Sequence, residues 1–204
     1  MDVTRNSFRS GLWGALQNNI LNTYLRGGGS LWIFGVGAVR GSAQVPGQYK
    51  YGTAPDASSF AAVFLKISGI FNMVPFLTHS NRADGFRDAV PNRALGDKIP
   101  VLDSLDYSRG GISATYGMTR VETIMSAMQD PDLSQRPDTV YFYKANYPSS
   151  GYNMKACAVS YFDVFNGSKV PYMGFPIHHF FESKADSLVC YVIDWVFGGL
   201  PSPR

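Results

Sequence analysis

The side chains of this 204-residue chain that could do chemistry are few and scattered. Asp103 and Asp106 stand in Val101-Leu-Asp-Ser-Leu-Asp-Tyr-Ser-Arg109, with Tyr107 and Arg109 close by. Two carboxyls flanking a substrate, in distinct environments, would hydrolyse a glycosidic bond. Aspartates in turns commonly do no more than accept hydrogen bonds from nearby backbone N–H groups. His79, His178 and His179 are the histidines. Neighbours in a strand point to opposite faces, so His178 and His179 do not grip one metal from one side. No C-x-x-C or H-x-x-x-H spacing adds the missing ligands for a set of His178 with Cys157 or Cys190. A Cys-His-Asp nucleophile can be written from Cys157 or Cys190, His178 and Asp194. A reactive thiolate needs a helix N-terminus or basic neighbours, whereas both cysteines fall in apolar runs that read as strands. They read as buried free thiols, and whether they meet is left open. Gly35-Val-Gly-Ala-Val-Arg-Gly41 follows a strand but is one residue off the dinucleotide spacing. Ser42-Ala-Gln-Val-Pro46 is a poor helix start, so no helix dipole would hold a pyrophosphate. No catalytic, cofactor-binding or metal-binding residue is therefore assigned.

The elements that would position these residues are clearest at the C-terminal end. Asp138 to Ala145 is rich in β-branched and aromatic residues, and Met154 to Phe165 alternates in period two. Asn166-Gly167 between β-like runs predicts a type I′ hairpin. Lys169 to Phe181 carries Pro171 and Pro176, which confine it to an edge or bend it. Glu182 to Asp186 reads as a turn, and Leu188 to Phe197 as the fourth strand of an antiparallel meander. That last run is apolar on both period-two faces, so each face needs cover.

Upstream, Trp13, Leu16, Ile20 and Tyr24 predict a helix over 11–26, capped by Ser10 and ended by Gly27-Gly28-Gly29. Leu31 to Val39 reads as a buried strand. Phe60, Val63, Phe64, Ile67, Ile70, Phe71 and Val74 form an apolar stripe that predicts a helix over 57–72, with Asp56 or Ser58 as its cap. Residues 76–111 read as a long loop, of the kind that is functional or bound to a partner. Ile112 to Tyr116 reads as a short strand, and the capping box Thr119-Arg-Val-Glu122 predicts a helix over 120–128. The fold class is α+β: a mainly antiparallel sheet, with a C-terminal four-strand meander, packed by about three helices. The expectation is one domain over 1–204, with a candidate arm at 1–9, the long loop region at 76–111 and a tail at 198–204.

Composition narrows the classes of function. Hydrophobic residues are 45%, enough for a core without metals or disulfides. Charged residues are only 16% and aromatics 14%; Glu122 and Glu182 are the two glutamates, and arginines outnumber lysines. Subunit interfaces are depleted in Lys and Glu and enriched in Tyr, Trp, Phe, Met and Arg. The net charge of +3 is scattered, with none of the basic stripes that nucleic-acid backbones select. No apolar stretch is long enough to span a bilayer, and no secretion signal opens the chain. The expectation is a non-enzymatic structural subunit of a homo-oligomeric assembly, such as a capsid, neck or tail component of a virion, located in the virion or cytoplasm. Its partners would be copies of itself and other subunits. The alternatives are a hydrolase using the loop aspartates, with carbohydrate as a candidate substrate class, and a binding module with an aromatic face.

Overall fold

The computed structural model describes residues 20–35, 55, 59–73, 82–109, 112–113, 117–118, 121–126 and 136–198. The expected arm at 1–9, Trp13, Leu16, Gly37 to Gly41, His79 and the last residues of the tail lie outside them. Among the described residues there are three α-helices, α1 (Ile20–Arg26), α2 (Phe60–Phe64) and α3 (Glu182–Phe197). They pack on one mixed sheet, mostly antiparallel, of β1 (Ile33–Phe34), β2 (Ile67–Met73), β3 (Phe86–Pro91), β4 (Ile112–Ser113), β5 (Gly117–Met118), β6 (Glu122–Ser126), β7 (Asp138–Ala145), β8 (Ala156–Phe162) and β9 (Lys169–Met173).

Strands β7, β8 and β9 form the antiparallel centre, with Val159 opposite Thr139 on one side and Tyr172 on the other. β3 extends the sheet beyond β7, and the two-residue β1 joins β9 in parallel. β6 also touches β8 at Ile124 and Ala156 and carries β2 on its far side, so the sheet curls rather than running as a flat ribbon. The carbonyls of Lys169 and Met173 accept from Leu31 and Gly35 on the β1 side. By period two, the missing N–H of Pro171 faces that same thin edge and leaves the β8 ladder whole.

Both faces of the centre are covered. Ala158 and Met173 join a cluster with Phe86, Leu102, Leu105, Phe175 and Phe180, closed by Leu188, Val192 and Val196 of α3. Val159, Val170 and Tyr172 face the other way and join Leu25 of α1 and Phe60, Ala61 and Phe64 of α2.

Four expectations are corrected. The fourth meander strand is a helix: Glu182 to Phe197 is α3, ended by Gly198 at φ +77. Leu188, Val192 and Val196 recur every four residues and are buried, which is a helical face. An apolar run without a polar period fits either element, and here the packing of one stripe on the sheet overrides the β-branched content. The supposed need to cover two strand faces therefore vanishes. The helix expected over 57–72 stops at Phe64, because Lys66 turns to φ +51 and the chain continues as β2. Its cap is Ser59, whose hydroxyl accepts from Ala62 N at 3.3 Å. The helix expected over 120–128 is the strand β6. The 76–111 segment is no structureless loop: it contributes β3 to the sheet and the buried Ile99, Leu102 and Leu105 to the core.

The hairpin between β8 and β9 also differs from a two-residue turn, since residues 163–168 connect the strands. The third run ends as a strand at Met173, and Ile177–His179 form a 3-10 turn.

Candidate functional site

The loop after β3 brings most of the sequence candidates to one corner. Leu102 bridges to Ala89 and Leu105 to Phe180, so residues 102–106 are stitched between β3 and the segment leading into α3. Asp106 N donates to His179 O at 2.8 Å, and Phe181 N to Ser104 O at 3.3 Å. Asp103, Asp106, His178 and His179 are thus neighbours in the fold, although about 70 residues separate them in sequence.

Their chemistry is that of held charges. The Asp106 carboxylate accepts from Ser108 N and Oγ at 3.1 and 2.6 Å and from Arg109 Nε at 2.9 Å. The Ser108 hydroxyl, and then Arg109, hold its carboxyl below the usual range. Asp103 pairs with Lys184 at 2.9 Å, and the hydrogen bond from that lysine lowers its carboxyl too. Both carboxylates therefore stay ionised, and neither is poised as a proton donor. The His178 and His179 rings lie 4.2 Å apart. In a 3-10 turn the two need not face opposite ways, unlike in the strand expected for them. His179 Nδ1 is buried without a hydrogen-bond partner, and burial, then His178 and Arg109, push the imidazole down to about 4. It is neutral at physiological pH. Among the described residues, no group of three or more His, Cys, Asp or Glu stands where it could hold a metal.

The cysteines part company. Cys157 is fully buried, its thiol 3.6 Å from Tyr141 O, and burial raises its pKa far above the ordinary range. Cys190, expected in a buried strand, is exposed on α3 because the helix turns it away from the sheet. Both are free thiols. Cys190 and Asp194, one helical turn apart, line a groove of about 470 Å³ with Lys98, Pro100, Lys184 and Tyr191. The opposite wall is fixed: Tyr141 Oη donates to Pro100 O at 2.8 Å, and Arg93 donates to Asp97 O and Ile99 O. Among the described residues no hydrogen bond links Cys190 or Asp194 to His178, so the nucleophile that can be written from sequence is not assembled. Lys98, Lys184 and Tyr191 were not legible as site residues; they converge only because α3 lies along residues 98–101. Gly35, at φ +115, is the described member of the glycine motif.

Comparison with protein-family models, with curated proteins and with solved structures finds no match for this chain. Among the described residues no helix is long and apolar enough to cross a membrane.

Proposed function

We propose that this protein is a non-enzymatic structural subunit that assembles with copies of itself. The observation that carries the reading is the hydrogen-bonded turn between β8 and β9 and the apolar side chains exposed on it. Phe165 is 82% exposed, with Phe162 and Val164 about half exposed beside it. Here Asp163 caps the turn: it accepts from Phe165 N and Asn166 Nδ2, both at 3.0 Å, and its carbonyl accepts from Gly167 N. Asn166 Oδ1 accepts from Ser168 N, and Gly28 packs against Asn166 O, where a Cβ would come within 2.6 Å. The turn is held so that its aromatic ring stays in water, which costs free energy that a partner surface would recover.

Neighbouring elements extend the apolar end. Lys169, opposite Phe162, donates to Trp195 O at 2.6 Å and ties the hairpin to the last turn of α3, where Phe197 is 64% exposed. On α1, just before Gly28, Ile20 and Tyr24 are exposed as well. Few charges and many aromatics suit such a surface, and within this class the composition favours a virion component. The hydrolase reading draws less support, since glycosidase chemistry needs one carboxyl held protonated, and Asp103 and Asp106 are both held ionised.

Light scattering after size exclusion tests this directly. The wild-type chain is expected to elute well above the monomer mass of 22.4 kDa, and the double variant Val164→Ser, Phe165→Ser to move towards it without losing its fold by circular dichroism. A wild-type monomer at every concentration, or a double variant that assembles equally well, would overturn the reading.

A further inference from the structure

α3 lies on one face of the central strands and roofs a second, smaller cavity. Asp138, Ser160 and Pro171 are register partners on β7, β8 and β9 and so form a row across the sheet. Tyr191, Val192 and Trp195 of α3, with Leu95, Val140 and Met173, complete the lining of a partly open cavity of about 170 Å³ over that row. An apolar cavity of roughly 150 Å³ takes one benzene ring, so there is room for one small group and no more.

The chemistry of the lining selects its charge. Asp88, Asp103 and Asp106 each hold a lysine or arginine, whereas among the described residues no hydrogen bond or ion pair engages the Asp138 carboxylate. Asp138 is exposed as a residue, yet the packing around its carboxyl raises its pKa through lost hydration. A carboxylate in that position gains most from a cation that replaces the missing water. The aromatic walls add to this, because ring faces attract ammonium and guanidinium groups. Trp195 already carries one such contact, with Lys169 Nζ 5.4 Å from its ring centroid. That lysine is tethered to Trp195 O and does not line the cavity.

We propose that this cavity binds a small organic cation, an alkylammonium or guanidinium group, with Asp138 as counter-ion and Tyr191 and Trp195 as its walls. The cation comes either from a free small molecule or from a lysine or arginine side chain of a second copy. The site does not depend on the apolar turn described above.

Methylguanidinium chloride, titrated into the full chain at constant ionic strength, is a sufficient probe, with neutral methylurea as the control. Saturable shifts of the Trp195 indole N–H and the Ser160 amide in the nuclear magnetic resonance spectrum are expected with the cation alone. Asp138→Asn should weaken that binding about tenfold or more while leaving the melting temperature equal or higher, since it removes a poorly solvated charge. Trp195→Phe should weaken it as a second, independent variant. Light scattering on the same samples separates the sources. A probe that binds and dissociates oligomers points to a side chain of a second copy; a probe that binds at unchanged mass points to a free cation. Absence of a saturable shift, or undiminished binding in both variants, would overturn the site.

Discussion

A neutral histidine packed beside an arginine makes one corner of the protein sensitive to acid. His179 titrates near 4 in the folded chain, against about 6.5 when free. Between those values the unfolded chain binds a proton that the folded chain refuses. Stability from this residue is therefore complete above about pH 6.5 and is lost as the pH falls towards 4. His178 and Arg109 add to the cost of charging it, and partial exposure screens the effect, which should amount to about 1 kcal/mol. Urea midpoints measured between pH 7 and 4.5 should fall less steeply in His179→Gln than in the wild type. Equal slopes would show that His179 does not couple protonation to folding. The aspartates of the same corner teach a second lesson at this scale. Asp106 opens a turn, as its sequence context indicates, whereas Asp103 lies between the bridged Leu102 and Leu105, and only the tertiary structure shows that Lys184 and Arg109 occupy the two carboxylates.

Among the elements, α3 decides the most. It closes one core cluster, forms a wall of the 470 Å³ groove and roofs the small cavity. Its burial pattern separates helix from strand by experiment. Leu188→Ala should cost about 2–5 kcal/mol, because it opens a cavity where the side chain is wholly buried. Val189→Ala, next to it and only half-buried, should cost about 1 kcal/mol or less. A strand with both faces covered would make the two losses similar. Glu182 near the helix start and Gly198 just after its end were both visible in the sequence. They were outweighed there by valines, aromatics and an apparent period of two.

At the scale of the molecule, one sheet serves two apolar clusters. Adjacent residues of the same strand, Ala158 and Val159 or Tyr172 and Met173, point into different clusters. Neither cluster can dissolve without breaking strands that the other needs. Unfolding should therefore be a single cooperative step. Thermal transitions followed by far-ultraviolet circular dichroism and by tryptophan fluorescence should coincide, in the wild type and in both Leu188→Ala and Phe60→Ala. Transitions that separate in either variant would show that the faces melt independently.

Local covalent preference was enough to place some of this structure. β7 and most of β8 follow from alternation and β-branched content, and the break near Asn166-Gly167 from a glycine that accepts positive φ, although Gly167 alone of the two adopts it. The choice between helix and strand for 67–73, 122–126 and 182–197 belonged to long-range contact. Neighbouring residues alone allow either form there, and the partner decides: strand pairing with β6 for β2, and the sheet face for α3. The same reason hid the cavity around Asp138. Its carboxylate, Ser160 and Trp195 come from a strand, its neighbour and a helix, and no spacing along the chain records that three such segments meet.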